Sequence, residues 1–199
     1  MNSYIEVNGI KIGSGIPKIC IPITGTSQEA IINELKSVRD IPYDIIEWRG
    51  DFFNDINNLE HIIEMLADIR VLISNKPLLF TFRSNNEGGN QEISIDYYKS
   101  IIKAAIESGL IELVDVELFM GDDLVSDIIS LAHDNNVFVI CSNHDFDKTP
   151  TKDEIVSRLI KMHDLGADIP KIAVMPQSTR DVLALLAATS EVKEAIPDR

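Results

Sequence analysis

A lysine inside an apolar run is the residue of this chain best placed for covalent chemistry. Lys171 stands in Ile169-Pro170-Lys171-Ile172-Ala173-Val174-Met175, and strand alternation puts it on one face with Ala173 and Met175, the face expected to point inward. An ammonium desolvated inside a barrel and crowded by other cations loses pKa, and the neutral amine can attack a carbonyl to form an imine. The same position also suits a strand-entry lysine whose head snorkels to a barrel floor. His144, in Cys141-Ser142-Asn143-His144-Asp145, follows an apolar run at the strand end where barrel enzymes place catalytic groups. It suits a proton shuttle, or else is a loop histidine satisfied by backbone. Glu87, in the polar loop 84–91, has the chemistry to orient that imidazole, although a solvated loop glutamate is the commoner case. His61, His133 and His163 fall in or near helical patterns and read as surface or helix-end residues.

Arg49 and Arg83 offer a clamp for an anionic or hydroxyl-rich substrate, with Glu47 accepting from hydroxyls. An internal ion-pair ring tying two strands together is an equally good account of the same residues. The histidines do not cluster, and neither Cys-x-x-Cys nor His-Glu-x-x-His occurs, so no metal site is expected. Lysine-based covalent chemistry therefore leads.

The elements that must position these groups are legible as alternation. Six candidate strands lie at residues 18–24, 44–49, 77–83, 111–117, 137–142 and 169–175. Amphipathic stretches at 27–38, 95–108, 122–135, 151–165 and 178–192 read as helices, with Ser27 as an N-cap and Gly109 and Gly166 as helix ends. Before them, Asn8-Gly9 between two short apolar segments predicts a hairpin. Repeated βα units predict a parallel sheet in one domain over residues 1–199. Ile45, Glu47 and Arg49 share a face, as do Leu79, Thr81 and Arg83, and Leu113, Asp115 and Glu117. Charge on one face toward the C-terminal strand ends suits a barrel interior with a polar top, whereas a doubly covered open sheet would be apolar on both faces. A Rossmann fold also lacks its glycine fingerprint here.

Composition narrows the partners. Of 199 residues, 45% are hydrophobic and 25% charged, and the formal net charge is −14. Such a surface repels phosphate backbones and anionic headgroups, leaving a small substrate as the expected partner. No apolar stretch approaches the ~20 residues of a membrane span, and residues 1–7 lack the layout of a signal peptide, so a cytoplasmic protein is expected. Cys20 and Cys141 each sit in an apolar run and read as reduced core thiols.

Five blocks, Glu47-Trp48-Arg49, Thr81-Phe82-Arg83 with Glu87-Gly88-Gly89, Asp115-Val116-Glu117-Leu118, Ser142-Asn143-His144-Asp145-Phe146 and Ile169-Pro170-Lys171-Ile172-Ala173, resemble type I 3-dehydroquinate dehydratases in order and spacing. The resemblance runs from the hairpin through the last helix, and residues 196–199 are hard to place. It implies a (β/α)8 TIM barrel, a shikimate-pathway lyase without metal or organic cofactor, and commonly a homodimer. By the same resemblance Lys171 matches the Schiff-base lysine, His144 the general acid/base and Glu87 its carboxylate partner, while Glu47, Arg49 and Arg83 match substrate-binding positions. The family has eight βα units and this sequence holds six; the arginine, serine and glutamine that the family takes from the last two have no counterpart here. A barrel so built has its first and sixth strands as edges. Competing readings are a class I aldolase-type imine enzyme and a non-catalytic barrel fragment that pairs with another chain.

Overall fold

The computed structural model describes residues 4–196. Asn8 and Gly9 both take positive φ, 49° and 80°, which is the backbone a two-residue primed turn demands. They join β1 (Ile5–Val7) to β2 (Ile10–Ile12) as the expected hairpin. Six parallel strands follow: β3 (Cys20–Ile23), β4 (Ile45–Arg49), β5 (Leu78–Thr81), β6 (Leu113–Glu117), β7 (Phe138–Asp145) and β8 (Ile169–Val174). They are hydrogen-bonded in sequence order, with β3 and β8 at the two ends of the described sheet. Neighbour-to-neighbour order with no reversal is the winding of a barrel, not of a doubly wound sheet.

Helices α1 (Gln28–Val38), α2 (Leu59–Ile73), α3 (Ile95–Glu107), α4 (Asp122–Asp134), α5 (Lys152–Asp164) and α6 (Thr179–Ala195) each follow a strand. The hydroxyls of Ser27, Ser94 and Thr151 accept from the backbone N–H of Ala30, Tyr97 and Glu154, capping α1, α3 and α5. Helix α2 was not among the stretches picked out from the sequence. Its apolar residues Ile62, Met65, Leu66, Ile69 and Ile73 nonetheless keep helical spacing and are buried.

Alternation along the strands separates two cores. Ile46, Trp48, Phe80, Val114, Val116 and Val139 face outward into the helical layer and are almost wholly buried. On the concave side Ile45, Leu79, Leu113 and Ile140 form a smaller floor, completed by Val7 from the hairpin. The hairpin therefore seals the bottom of the barrel, each buried aliphatic side chain contributing roughly 1.5–3 kcal/mol. Charged chemistry is left to the top.

Two expectations need correction. His144 does not follow its strand but lies within it, because pairing with β8 continues through His144↔Ala173 and Asp145↔Val174. Cys20 is exposed rather than buried; it lies on β3, an end strand of the described sheet with one edge unpaired. Cys141 is buried as expected, and burial, with Asp115 and Glu87 nearby, pushes its thiol up to about 12.

Candidate active site

Above the floor, the concave face turns polar within one residue step. Glu47 on β4, Thr81 on β5, Asp115 and Glu117 on β6, Ser142 and His144 on β7 and Lys171 on β8 all belong to the face opposite the helical core. Their hub is Arg83, just beyond β5 and 4% exposed. Its Nη2 donates to Asp115 Oδ1 at 2.8 Å, and its Nη1 donates to Glu117 Oε1 at 3.1 Å and Ser142 Oγ at 2.9 Å. Glu87 Oε2 stands 3.5 Å from the same Nη1.

Burial opposes every charge in this cluster, and the partners decide which charges persist. Desolvation would raise Asp115, but Arg83, Lys171 and the Ser142 hydroxyl outweigh it and hold this carboxyl below the usual carboxylate range. Glu117 goes the other way: desolvation raises it despite two hydrogen bonds from Ser84 and the attraction of Arg83. Arg83 itself is raised, because Asp115, Glu117 and Glu87 more than offset its desolvation.

Lys171 reaches into this cluster from β8, its Nζ 3.3 Å from Asp115 Oδ2. Its ion-pair partner is thus a carboxylate and not the crowd of cations that sequence reasoning anticipated. Lys171 pairs across the ladder with Ser142, and His144 stands one inward step higher on the neighbouring strand, roughly 7 Å along the strand direction.

His144 is tied to Glu87 twice. Its backbone N–H donates to Glu87 Oε2 at 2.9 Å, and Nδ1 lies 3.0 Å from the same oxygen. An ionised carboxylate only accepts, so Nδ1 carries the proton and Nε2 is the basic nitrogen. Phe146 stacks on the ring at 6.3 Å. Glu87 sits in a 3₁₀ turn, Asn85–Glu87, and is buried, so it is not the solvated loop glutamate of the alternative reading. That turn closes through Gly88 at φ 80° and Gly89, whose N–H donates to Ser84 O at 2.8 Å. A Cβ on Gly89 would lie 1.8 Å from the Arg83 carbonyl oxygen. Gly89→Ala is therefore expected to displace the turn, costing about 2–4 kcal/mol in denaturant titration and loosening His144; an unchanged unfolding midpoint would contradict this.

Arg49 is held by Asp51, its Nε and Nη2 donating to the two carboxylate oxygens at 2.7 and 2.8 Å. Glu47 accepts from the Thr81 hydroxyl at 2.7 Å. Both arginines proposed as a clamp are thus engaged in internal ion pairs, Arg83 fully enclosed and Arg49 partly exposed. Several residues of this arrangement escape sequence reasoning. Asp51 is completely buried and, besides Arg49, accepts from the backbone N–H of Arg83 and Asn90. Ser142, Asn143 and Arg158 also enter the network. The only signal for Asp51 is its place two residues after Arg49, which does not distinguish it among 32 acidic residues. Beside His144 and Glu87 a cavity of about 510 Å³ opens, bounded also by Phe119, Phe146 and Arg158. Lys171 lies outside its lining, on the concave face.

Lysine, imidazole and carboxylate gathered above the floor of a parallel barrel define a (β/α)-barrel enzyme equipped for imine chemistry with proton transfer. A family model described as type I 3-dehydroquinase matches residues 19–198. A 3-dehydroquinate dehydratase of Clostridioides difficile is 52% identical over 199 residues, covering 100% of this chain and 78% of that relative. One from Bacillus subtilis is 47% identical over 197 residues, covering 99% and 77%. The crystal structure of the type I enzyme from Clostridium difficile, with covalently modified comenic acid, superposes with a TM-score of 0.97 at 52% identity, over 100% of this chain and 78% of that one. The chain belongs to the type I 3-dehydroquinase family. Its likeness to a deoxyribose-phosphate aldolase of Toxoplasma gondii, at 13% identity and TM-score 0.63, is one of fold alone.

Proposed function

We propose that the chain dehydrates 3-dehydroquinate to 3-dehydroshikimate through an imine on Lys171. The observation that carries this is the placement of Lys171 and His144 on one concave face of adjacent strands, with Glu87 on the far nitrogen of the imidazole. Lys171 Nζ, once deprotonated, adds to the C3 ketone and water is lost, giving an iminium that withdraws electrons from C2. His144 Nε2 takes the C2 proton and an enamine forms. Its electrons expel the C1 hydroxyl, to which the imidazolium returns its proton, and water hydrolyses the remaining imine. Glu87 holds the imidazole in the tautomer both transfers need. Asp115, kept ionised by Arg83, stabilises the cationic nitrogen of Lys171. Glu47 and Arg49 form the polar surface for substrate hydroxyls and carboxylate, and Arg83, enclosed beneath it, supports that surface through Asp115 and Glu117.

The assignment of roles separates in His144→Ala. Imine formation should survive, so sodium borohydride with 3-dehydroquinate still adds mass to the protein. Turnover, read as the enone chromophore, should fall by roughly a thousandfold. Equal turnover in variant and parent would remove His144 from the reaction. A homodimer, implied by the family resemblance, belongs to the same proposal, as does the cytoplasmic location expected from the sequence; sedimentation of the purified chain reads the first.

A further inference from the structure

We infer that Asn143 and Arg158 are positioning residues that set the direction of the Glu87 carboxylate and, through it, the tautomer of His144. The inference rests on His144 being the proton carrier. Alternation along β7 sends Ser142 and His144 to the concave face and Asn143 to the opposite side, where it is 2% exposed. A buried amide has two nearly isosteric ends with opposite hydrogen-bonding character. Arg158, on α5, resolves them. Its Nη1 donates to Asn143 Oδ1 at 2.7 Å, and because a guanidinium has only donors, the end facing it must be the carbonyl. The NH2 end is then turned toward Glu87, and Asn143 Nδ2 donates to Glu87 Oε1 at 3.1 Å.

The consequence lies in the division of labour between the two oxygens of Glu87. Oε1 receives Asn143, while Oε2 receives both the backbone N–H and Nδ1 of His144. Fixing Oε1 fixes the carboxylate plane and leaves Oε2 aimed at Nδ1. An inverted amide would set a carbonyl against the carboxylate, drive Glu87 off its axis and free the imidazole to exchange tautomers. Arg158 is itself held at both flanks, by Glu154 one turn earlier on α5 and by the Phe119 ring 5.3 Å from its guanidinium carbon. A helix outside the barrel thereby sets the orientation of a base inside it.

The test compares Arg158→Met, which removes the donors, with Arg158→Lys, which keeps a cationic donor nitrogen, and adds Asn143→Asp. In each full chain the readouts are kcat and KM for 3-dehydroquinate, the borohydride-trapped adduct, and the ¹⁵N signature of the His144 tautomer. Arg158→Met and Asn143→Asp are expected to lower kcat about tenfold, leave KM and the adduct within about twofold, and convert a single Nδ1–H tautomer into a mixture. Arg158→Lys should recover most of the kcat and the single tautomer. An unchanged tautomer and kcat in Arg158→Met, while Glu87→Gln and His144→Ala lose turnover, would overturn the inference and leave Arg158 a structural contact. Turnover surviving in His144→Ala would instead overturn the underlying role of His144. Should Asn143→Asp fail to fold, the two Arg158 variants decide, and the tautomer signature is legible without turnover.

Discussion

Lys171→Met is expected to abolish covalent capture altogether: incubation with 3-dehydroquinate and borohydride should add mass to the parent chain and none to the variant. Methionine keeps the length and most of the apolar contact of the lysine stem while deleting the amine proposed to become the imine nitrogen. Removing a nucleophile that forms the intermediate costs roughly four to six orders of magnitude in turnover, the largest effect expected of any substitution here. The fold should tolerate the change, because Lys171 is only partly buried. Asp115 does not become an orphaned charge, for Arg83 and Ser142 still donate to its Oδ1. An equal adduct in both proteins would assign the chemistry to another amine. An adduct in neither would favour the reading in which this chain, spanning 78% of the length of its Clostridioides difficile relative, needs a further chain for catalysis.

Arg83→Leu should have the largest effect on stability. Asp115, Glu117 and Glu87 are all buried within 3.5 Å of this single guanidinium, so its loss leaves uncompensated charge in a low-dielectric interior. Breaking such a network from one side costs about 3–5 kcal/mol. The pH dependence gives the effect a signature. With Arg83 present, Asp115 titrates below its ordinary value; that contribution is complete above the ordinary carboxylate range and disappears as pH falls through the lowered folded value. Glu117 titrates above its ordinary value, so its ionisation already works against the fold as pH rises through that raised value. The Arg83→Leu deficit should therefore be greatest at neutral pH and shrink as these carboxyls protonate. Urea midpoints of parent and variant at about pH 7 and pH 4 measure this, and a deficit that did not narrow in acid would refute the charge-network account.

Much of the architecture was legible because periodicity is a local property. Alternation in Ile45-Ile46-Glu47-Trp48-Arg49 correctly separated the concave residues from those packed under the helices. Asn8-Gly9 encoded its turn in two residues, and the Ser27 cap marked the start of α1. Helix α2 was harder to pick out, since its start is capped by Asn58, within a loop rich in such residues, and not by an isolated serine or threonine.

What the sequence by itself determined is which residues face inward: Lys171, His144, Glu47, Arg83 and Asp115 follow from the strand period of two. Only the tertiary structure decided their heights and partners. Strand pairing raised His144 into β7 and set Lys171 level with Ser142. It joined Lys171 to Asp115, 56 positions away, and Glu87 to His144, 57 away. It also spent the forks of Arg49 and Arg83 on Asp51, Asp115 and Glu117, and opened Cys20 at a sheet end. The physical reason is that a face is dictated by dihedral angles within one strand, whereas register and ion pairing are free-energy minima of several strands at once. In those minima a buried charge is tolerated only where a distant partner arrives at hydrogen-bonding distance.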